Sequence, residues 1–243
     1  MHLALAYSLV FFGSYLIGSI PFSWIVTKLK IGEDLRKIGS GNVGGRNVYR
    51  ATKSRNLAIL AGILDLTRSV TAIATSYFIF RYFFEQGDPI QFWPYTDVIP
   101  SSFALTIAGL GAAFGHNWPV YLLSHGGRGI TVVLGSLLVA NPILIVFWII
   151  LWPIIITIVG YSSITYVLVT ALVGVIALFL PPGMMMPWAK GNLAVACLMF
   201  GIALIMLSRQ KDNFRKIRTG EAKKMRIIKA LKGKKKLSDE ILK

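Results

Sequence analysis

Two glycine-rich stretches, Gly39-Ser40-Gly41-Asn42-Val43-Gly44-Gly45 and Gly126-Gly127-Arg128-Gly129, stand at the edges of long apolar runs and carry basic neighbours. Glycine lacks a Cβ, so successive backbone N–H groups can converge on an anion. In the first stretch a hydroxyl at Ser40 and amides at Asn42 and Asn47 precede Arg50, and a helix opening near Asn47 would set Asn47 and Arg50 three apart on one face. Such a set suits a phosphate monoester. Its bland alternative is a flexible basic linker. The second stretch follows Gly115-His116-Asn117-Trp118-Pro119 and opens into an apolar run. An anion there would meet free N–H groups, the positive end of a helix dipole and Arg128. For His116 an interfacial histidine with a satisfied hydrogen bond is the first reading and general-base duty the second. A third polar stretch, residues 209–221, places Gln210 and Asn213 on one helical face and Arg215 and Arg218 on another.

The elements that position these stretches are apolar. Of 243 residues, 55% are hydrophobic and only 15% charged, and long windows hold no charge at all. A bilayer core about 30 Å thick takes roughly 20 apolar residues. Seven spans are expected, at about residues 3–28, 57–80, 101–116, 129–140, 143–160, 165–181 and 192–207, in one membrane domain over 1–208 with a basic tail over 209–243. Asn141-Pro142 is either a turn between the fourth and fifth spans or a kink, which would leave six. Asp65 and Arg68 lie three apart inside the second span and are expected to pair facing protein, bracing the loops, with direct substrate contact the second reading.

A net charge of +16 raises the question of nucleic acid, and placement answers it: residues 28–55 hold eight of the 26 Lys and Arg, and residues 209–243 hold fourteen. With seven spans both segments share one face with Arg128, which favours a cytoplasmic face, an external N-terminus and a cytoplasmic C-terminus in the cell membrane. No nucleic-acid partner is expected. Met225, Ile228 and Leu231, three apart among lysines, fit a helix on an anionic surface as well as a solvated tail. The 81–100 loop, with Phe92, Trp93 and Tyr95 at an interfacial belt, reads as structural. The single cysteine, Cys197, allows neither an intramolecular disulfide nor a cysteine metal cluster, and no metal or cofactor is expected.

No Walker lysine loop, serine elbow or histidine–aspartate acyltransferase motif is present in the sequence. Taken together, Gly39 to Asn42 with Asn47 and Arg50, Gly115-His116 to Pro119 with Gly126-Gly127-Arg128-Gly129, and Asn213 to Gly220-Glu221 resemble the bacterial acyl-phosphate:glycerol-3-phosphate acyltransferase family, the PlsY type. The resemblance covers nearly the whole chain. It implies seven spans and transfer of a fatty acyl group from acyl phosphate to the 1-hydroxyl of glycerol 3-phosphate, giving lysophosphatidic acid.

By the same resemblance Ser40, Arg50, Arg128 and Asn213 are the catalytic set around the acceptor and its phosphate. Gly39, Gly41, Asn42, Gly44, Asn47, His116, Gly126, Gly127, Gly129 and Gln210 bind substrate, with glycine N–H groups holding the donor phosphate and a tunnel between spans taking the acyl chain. An acyl phosphate is already activated, so the protein needs mainly to orient the hydroxyl and stabilise developing charge. The chain departs from the family at Gly45-Arg46, where alanine and threonine are usual, at Arg128 in place of lysine, and at Gln210 in place of histidine. These departures leave open a different phosphorylated acceptor. A transporter or channel for an anionic metabolite is the main rival class, but it would place ionisable groups near mid-membrane, whereas here they gather on one face. A non-catalytic anchor binding partners through the tail is third.

Overall fold

The computed structural model describes residues 3–84, 100–123, 125–181, 184, 192–222 and 224. Within them the chain is helical, with no strand. The candidate tail helix at Met225, Ile228 and Leu231 and the aromatic residues Phe92, Trp93 and Tyr95 lie outside the described residues.

The first apolar stretch folds as two helices, α1 (Leu3–Gly18) and α2 (Phe22–Ile31), which together are long and apolar enough to cross a membrane. Ser19-Ile20-Pro21 separates them. Proline has no N–H and disfavours helical backbone in the residue before it, so Ile20-Pro21 breaks the ladder there. Beyond a short 3-10 turn at Leu35–Lys37 comes α3 (Gly45–Thr52), and then the long α4 (Arg55–Phe84), whose segment Arg55–Phe80 also meets the length and composition of a span. Then follow α5 (Pro100–Asn117), a 3-10 turn at Val120–Leu122, α6 (Ile130–Ala140), α7 (Ile143–Val159), α8 (Ser162–Leu178) and α9 (Asn192–Ser208). A bend of 58° leads from α9 into α10 (Lys211–Arg218).

Asn141-Pro142 is a turn: α6 stops at Ala140, Asn141 is extended (φ −163°, ψ 99°), and α7 restarts at Ile143. Asn141 Oδ1 accepts from the Ile143 N–H at 3.2 Å, satisfying one free donor of the new helix.

One apolar core runs through α1 and α4–α9, built mainly from Ala, Val, Leu and Ile side chains with Met199, Met206 and the aromatic Tyr77, Phe80 and Trp148. Water exclusion drives little association once helices are in lipid, so close backbone approach matters more. On the α1–α5 seam a Cβ added to Gly18 would sit 2.6 Å from the Ala112 carbonyl oxygen. Hence α5 is held against α1 near the end of α1 where the chain breaks.

A second, smaller core of Leu35, Val43, Val48, Ala61 and Leu122 lies beneath the segment joining α2 to α4. Arg36 donates from Nη1 to the Leu122 carbonyl at 3.1 Å, and Trp24 donates from Nε1 to Asp34 at 3.0 Å. The first basic segment is therefore folded onto α4 and the turn preceding α6 instead of acting as a loose linker.

Candidate functional site

A polar cavity of about 350 Å³ opens where the three polar stretches meet. Its wall takes Ser40, Asn42, Gly44, Asn47 and Arg50 from the first, His116 and Arg128 from the second and Gln210 from the third. Asn213 stands in an adjoining cavity of about 250 Å³, and Arg128, Ser162 and Ser163 line both. Sequence-distant candidates thus converge.

Local geometry explains each placement. Gly39 and Gly41 have φ of +58° and +68°, values glycine adopts without the Cβ penalty, and they turn the chain back toward α3. Asn47, almost fully buried, fixes that turn: its Oδ1 accepts from the Ser40 N–H at 3.2 Å, and its Nδ2 donates to the carbonyls of Leu35 and Ile38 at 3.1 and 2.9 Å. Gly129 (φ +88°) starts α6 directly after Arg128.

The glycine N–H groups are only partly available to an anion. That of Gly41 bonds the Ile38 carbonyl at 3.0 Å, and that of Gly127 bonds the His116 carbonyl at 2.9 Å. Gly126 and Gly127 are buried beside His116 and Pro119, where Gly127 allows Val43 of the first stretch to close in. The better exposed donors are elsewhere. The N-termini of α3 (Gly44 to Arg46), α6 (Ile130, Thr131) and α8 (Ser162, Ser163) all lie in the wall of the larger cavity, each a source of unpaired N–H groups and positive dipole.

Cationic side chains reinforce this field. Arg46, Arg50 and Arg128 line the larger cavity, and among the described residues none of them pairs with a carboxylate. Burial first, and then the nearby charges of Arg209 and Arg50, push the Arg128 guanidinium below the ordinary arginine value, while Asp212 opposes the shift. Burial lowers Arg209 likewise, against Asp212. A guanidinium stays charged through such shifts, so the excess positive charge is real and calls for an anion.

At the cavity wall the expected Asp65 and Arg68 pair is formed, with Nη2 of Arg68 3.3 Å from Oδ1 of Asp65, which itself lines the cavity. Ser23 donates to Asp65 Oδ2 at 2.7 Å, and Arg68 also bonds the Ile20 carbonyl and His116 Nδ1. His116 is thus held by its partner and buried against Gly127.

Four polar residues at the wall were not singled out from the sequence: Thr131, Ser162, Ser163 and Tyr166. Thr131 Oγ1 is buried with no hydrogen-bond partner among the described residues, and the Tyr166 ring stacks on Trp148 and Trp152. The only signal for Ser162-Ser163 was a hydroxyl pair after Gly160-Tyr161 between two apolar runs.

Helix N-termini, unpaired guanidinium groups and hydroxyls around one cavity in an apolar helical bundle define a membrane enzyme for phosphate-bearing substrates. The model of the family described as glycerol-3-phosphate acyltransferase matches residues 8–220. The chain belongs to that family, and it is a membrane acyltransferase. Among relatives of that name, one from Bradyrhizobium sp. is 32% identical over 85% of this chain and 88% of its own length. Another, glycerol-3-phosphate acyltransferase 1 from Rhizobium johnstonii, is 34% identical over 87% of each chain. The crystal structure of PlsY, an integral membrane glycerol 3-phosphate acyltransferase in its glycerol 3-phosphate form, aligns with a TM-score of 0.68 at 25% identity. That alignment covers 93% of this chain and 98% of PlsY.

Proposed function

We propose that this enzyme transfers a fatty acyl group from acyl phosphate to the 1-hydroxyl of glycerol 3-phosphate, releasing lysophosphatidic acid and inorganic phosphate. The observation that carries this reading is the cation-rich cavity shared by three distant segments, with Arg128 at the junction of two chambers. Two chambers suit two phosphorylated substrates. Arg50 and Ser40 face one of them with the α3 N-terminus; Asn213 and Lys216 face the other.

In the reaction the hydroxyl oxygen attacks the acyl carbonyl and a C–O ester bond forms. The bond from that carbonyl to the phosphate oxygen breaks, its electron pair leaves with the phosphate, and the hydroxyl proton is taken up by a substrate phosphate. Arg50 and Arg128 offset charge growing on carbonyl oxygen and leaving group, and Ser40 orients the reactants. His116 is engaged by Arg68 and supplies no free base at Nδ1.

Seven spans with the N-terminus outside and the tail in the cytoplasm complete the proposal, supported by the concentration of Lys and Arg at residues 28–55 and 209–243. The test is purified protein in bilayer or detergent, given acyl phosphate with glycerol 3-phosphate, and lysophosphatidic acid followed by mass spectrometry. No product, or equal product from a different phosphorylated polyol, would overturn the assignment. Impermeant thiol labelling of Ser40→Cys, at an exposed position, should fail in intact cells; labelling would invert the topology.

A further inference from the structure

Gln210 sits at the bend between α9 and α10, is only 1% exposed, and touches two things with its side-chain amide. Nε2 donates to the Met206 carbonyl at 3.2 Å, and Oε1 accepts from Asn213 Nδ2 at 2.5 Å. The direction of this relay is dictated by chemistry. A backbone carbonyl only accepts, so Gln210 must turn its NH₂ toward Met206 and its oxygen toward Asn213. Asn213 must then give that oxygen its own NH₂. Its Oδ1 is left over, and among the described residues no donor meets it.

The backbone anchors the relay at both ends. Gln210 donates its N–H to the Leu207 carbonyl at 3.0 Å, and its carbonyl accepts from Phe214 at 2.9 Å, so the residue belongs to both helices. Asn213 itself is only half-buried and lines the smaller chamber with Arg128, Ser162, Ser163 and Lys216. Every charged neighbour there except Glu221 is a cation, able to hold a phosphate but unable to accept a hydrogen bond from a hydroxyl.

We infer that Gln210 is a positioning residue which, through Met206, locks the Asn213 amide with Oδ1 directed into the smaller chamber, where it accepts a hydrogen bond from the acceptor's second hydroxyl and so orients the attacking one, whose proton stays free for the phosphate. This rests on the assignment of Asn213 to the acceptor under the proposed function. Gln210 also reaches the wall of the larger cavity, but its effect on turnover runs through Asn213.

The test is a double-mutant cycle on the full-length enzyme in detergent, with kcat and KM for glycerol 3-phosphate measured for each variant. Gln210→Met keeps the volume and removes both polar ends; kcat falls roughly 10- to 100-fold with KM nearly unchanged, the scale of a misplaced reacting group. Gln210→Glu still accepts from Asn213 but loses the anchor, because a carboxylate cannot donate to the Met206 carbonyl, so its kcat falls as well. Asn213→Ala lowers kcat at least as far, and adding Gln210→Met to it lowers kcat no further. Losses that multiply in the double variant, or a Gln210→Met variant with raised KM and parental kcat, would overturn the relay and make Gln210 a direct ligand. Parental kcat in Asn213→Ala would instead remove Asn213 from the reaction, and both readings with it. Should Gln210→Met not fold, Gln210→Glu with Asn213→Ala completes the cycle: losses in kcat that multiply in the double variant count against the relay.

Discussion

Arg68 in α4 joins two side chains at once, the Asp65 carboxylate at 3.3 Å one turn earlier and His116 Nδ1 on α5. Both charged side chains are nearly inaccessible, so neither has water to fall back on. Removing one partner strands the other, which costs about 3–5 kcal/mol. Arg68→Met should therefore lower the midpoint of thermal unfolding in detergent markedly. Asp65→Asn combined with Arg68→Met should recover part of the loss, since no buried charge is then unpaired. A single variant as stable as the parent would show that the pair does not brace the fold.

Arg128 separates the two chambers and carries charge without a carboxylate partner among the described residues. Arg128→Gln should reduce kcat by about 100-fold, the order found when one donor to a developing oxyanion is lost. Arg128→Lys keeps the charge but not the planar fork, so its loss should be smaller. Parental activity in both variants, measured as lysophosphatidic acid formed per minute, would remove Arg128 from the reaction.

Gly127 shows what one of the glycine stretches does beyond offering N–H groups. A Cβ there would stand 2.8 Å from the Val43 carbonyl oxygen and run into the His116 ring. Gly127→Ala should destabilise by about 1–3 kcal/mol through overpacking. It should also depress activity by pushing His116 and the first stretch apart. Gly13→Ala in α1, where nothing lies within 4 Å, is the matched control and should unfold like the parent.

These cases mark how far the sequence could be read. Apolar length announced α4 and α5, because a run such as residues 57–80 has no other stable form in lipid. The break at Ser19-Ile20-Pro21 was less visible: the hydropathy of residues 3–28 stays high across it, and only Pro21 hints at the change. The i, i+3 spacing of Gln210 and Asn213 is a real hydrogen bond, since helical periodicity fixes that pair locally. Ser162 and Ser163 were not legible, because a hydroxyl pair between two apolar helices gains meaning only once the fold brings α8 beside Arg128. Nor does spacing tell whether a glycine N–H is free, as Gly41 and Gly127 illustrate.

Asp34 supplies a pH test of the folded first segment. Arg36 grips its carboxylate through Nε at 3.0 Å and Nη2 at 2.6 Å, and the Arg36 N–H and Trp24 Nε1 add donors. The bonds from the Arg36 side chain, more than anything else, hold the carboxyl well below its usual range, against a smaller opposing effect of burial. A depressed pKa in the fold means that the unfolded chain takes up the proton first. The contribution to stability is therefore complete above the ordinary carboxylate value of about 3.9 and is lost as pH falls below it. Parent protein should lose thermal stability progressively from about pH 4 downward, and Asp34→Asn, which cannot titrate, should be less stable at neutral pH and lack that component. Trp24 fluorescence would follow release of the segment in the same titration. Identical acid profiles for parent and Asp34→Asn would mean that the Arg36 and Trp24 bonds do not hold the segment in solution.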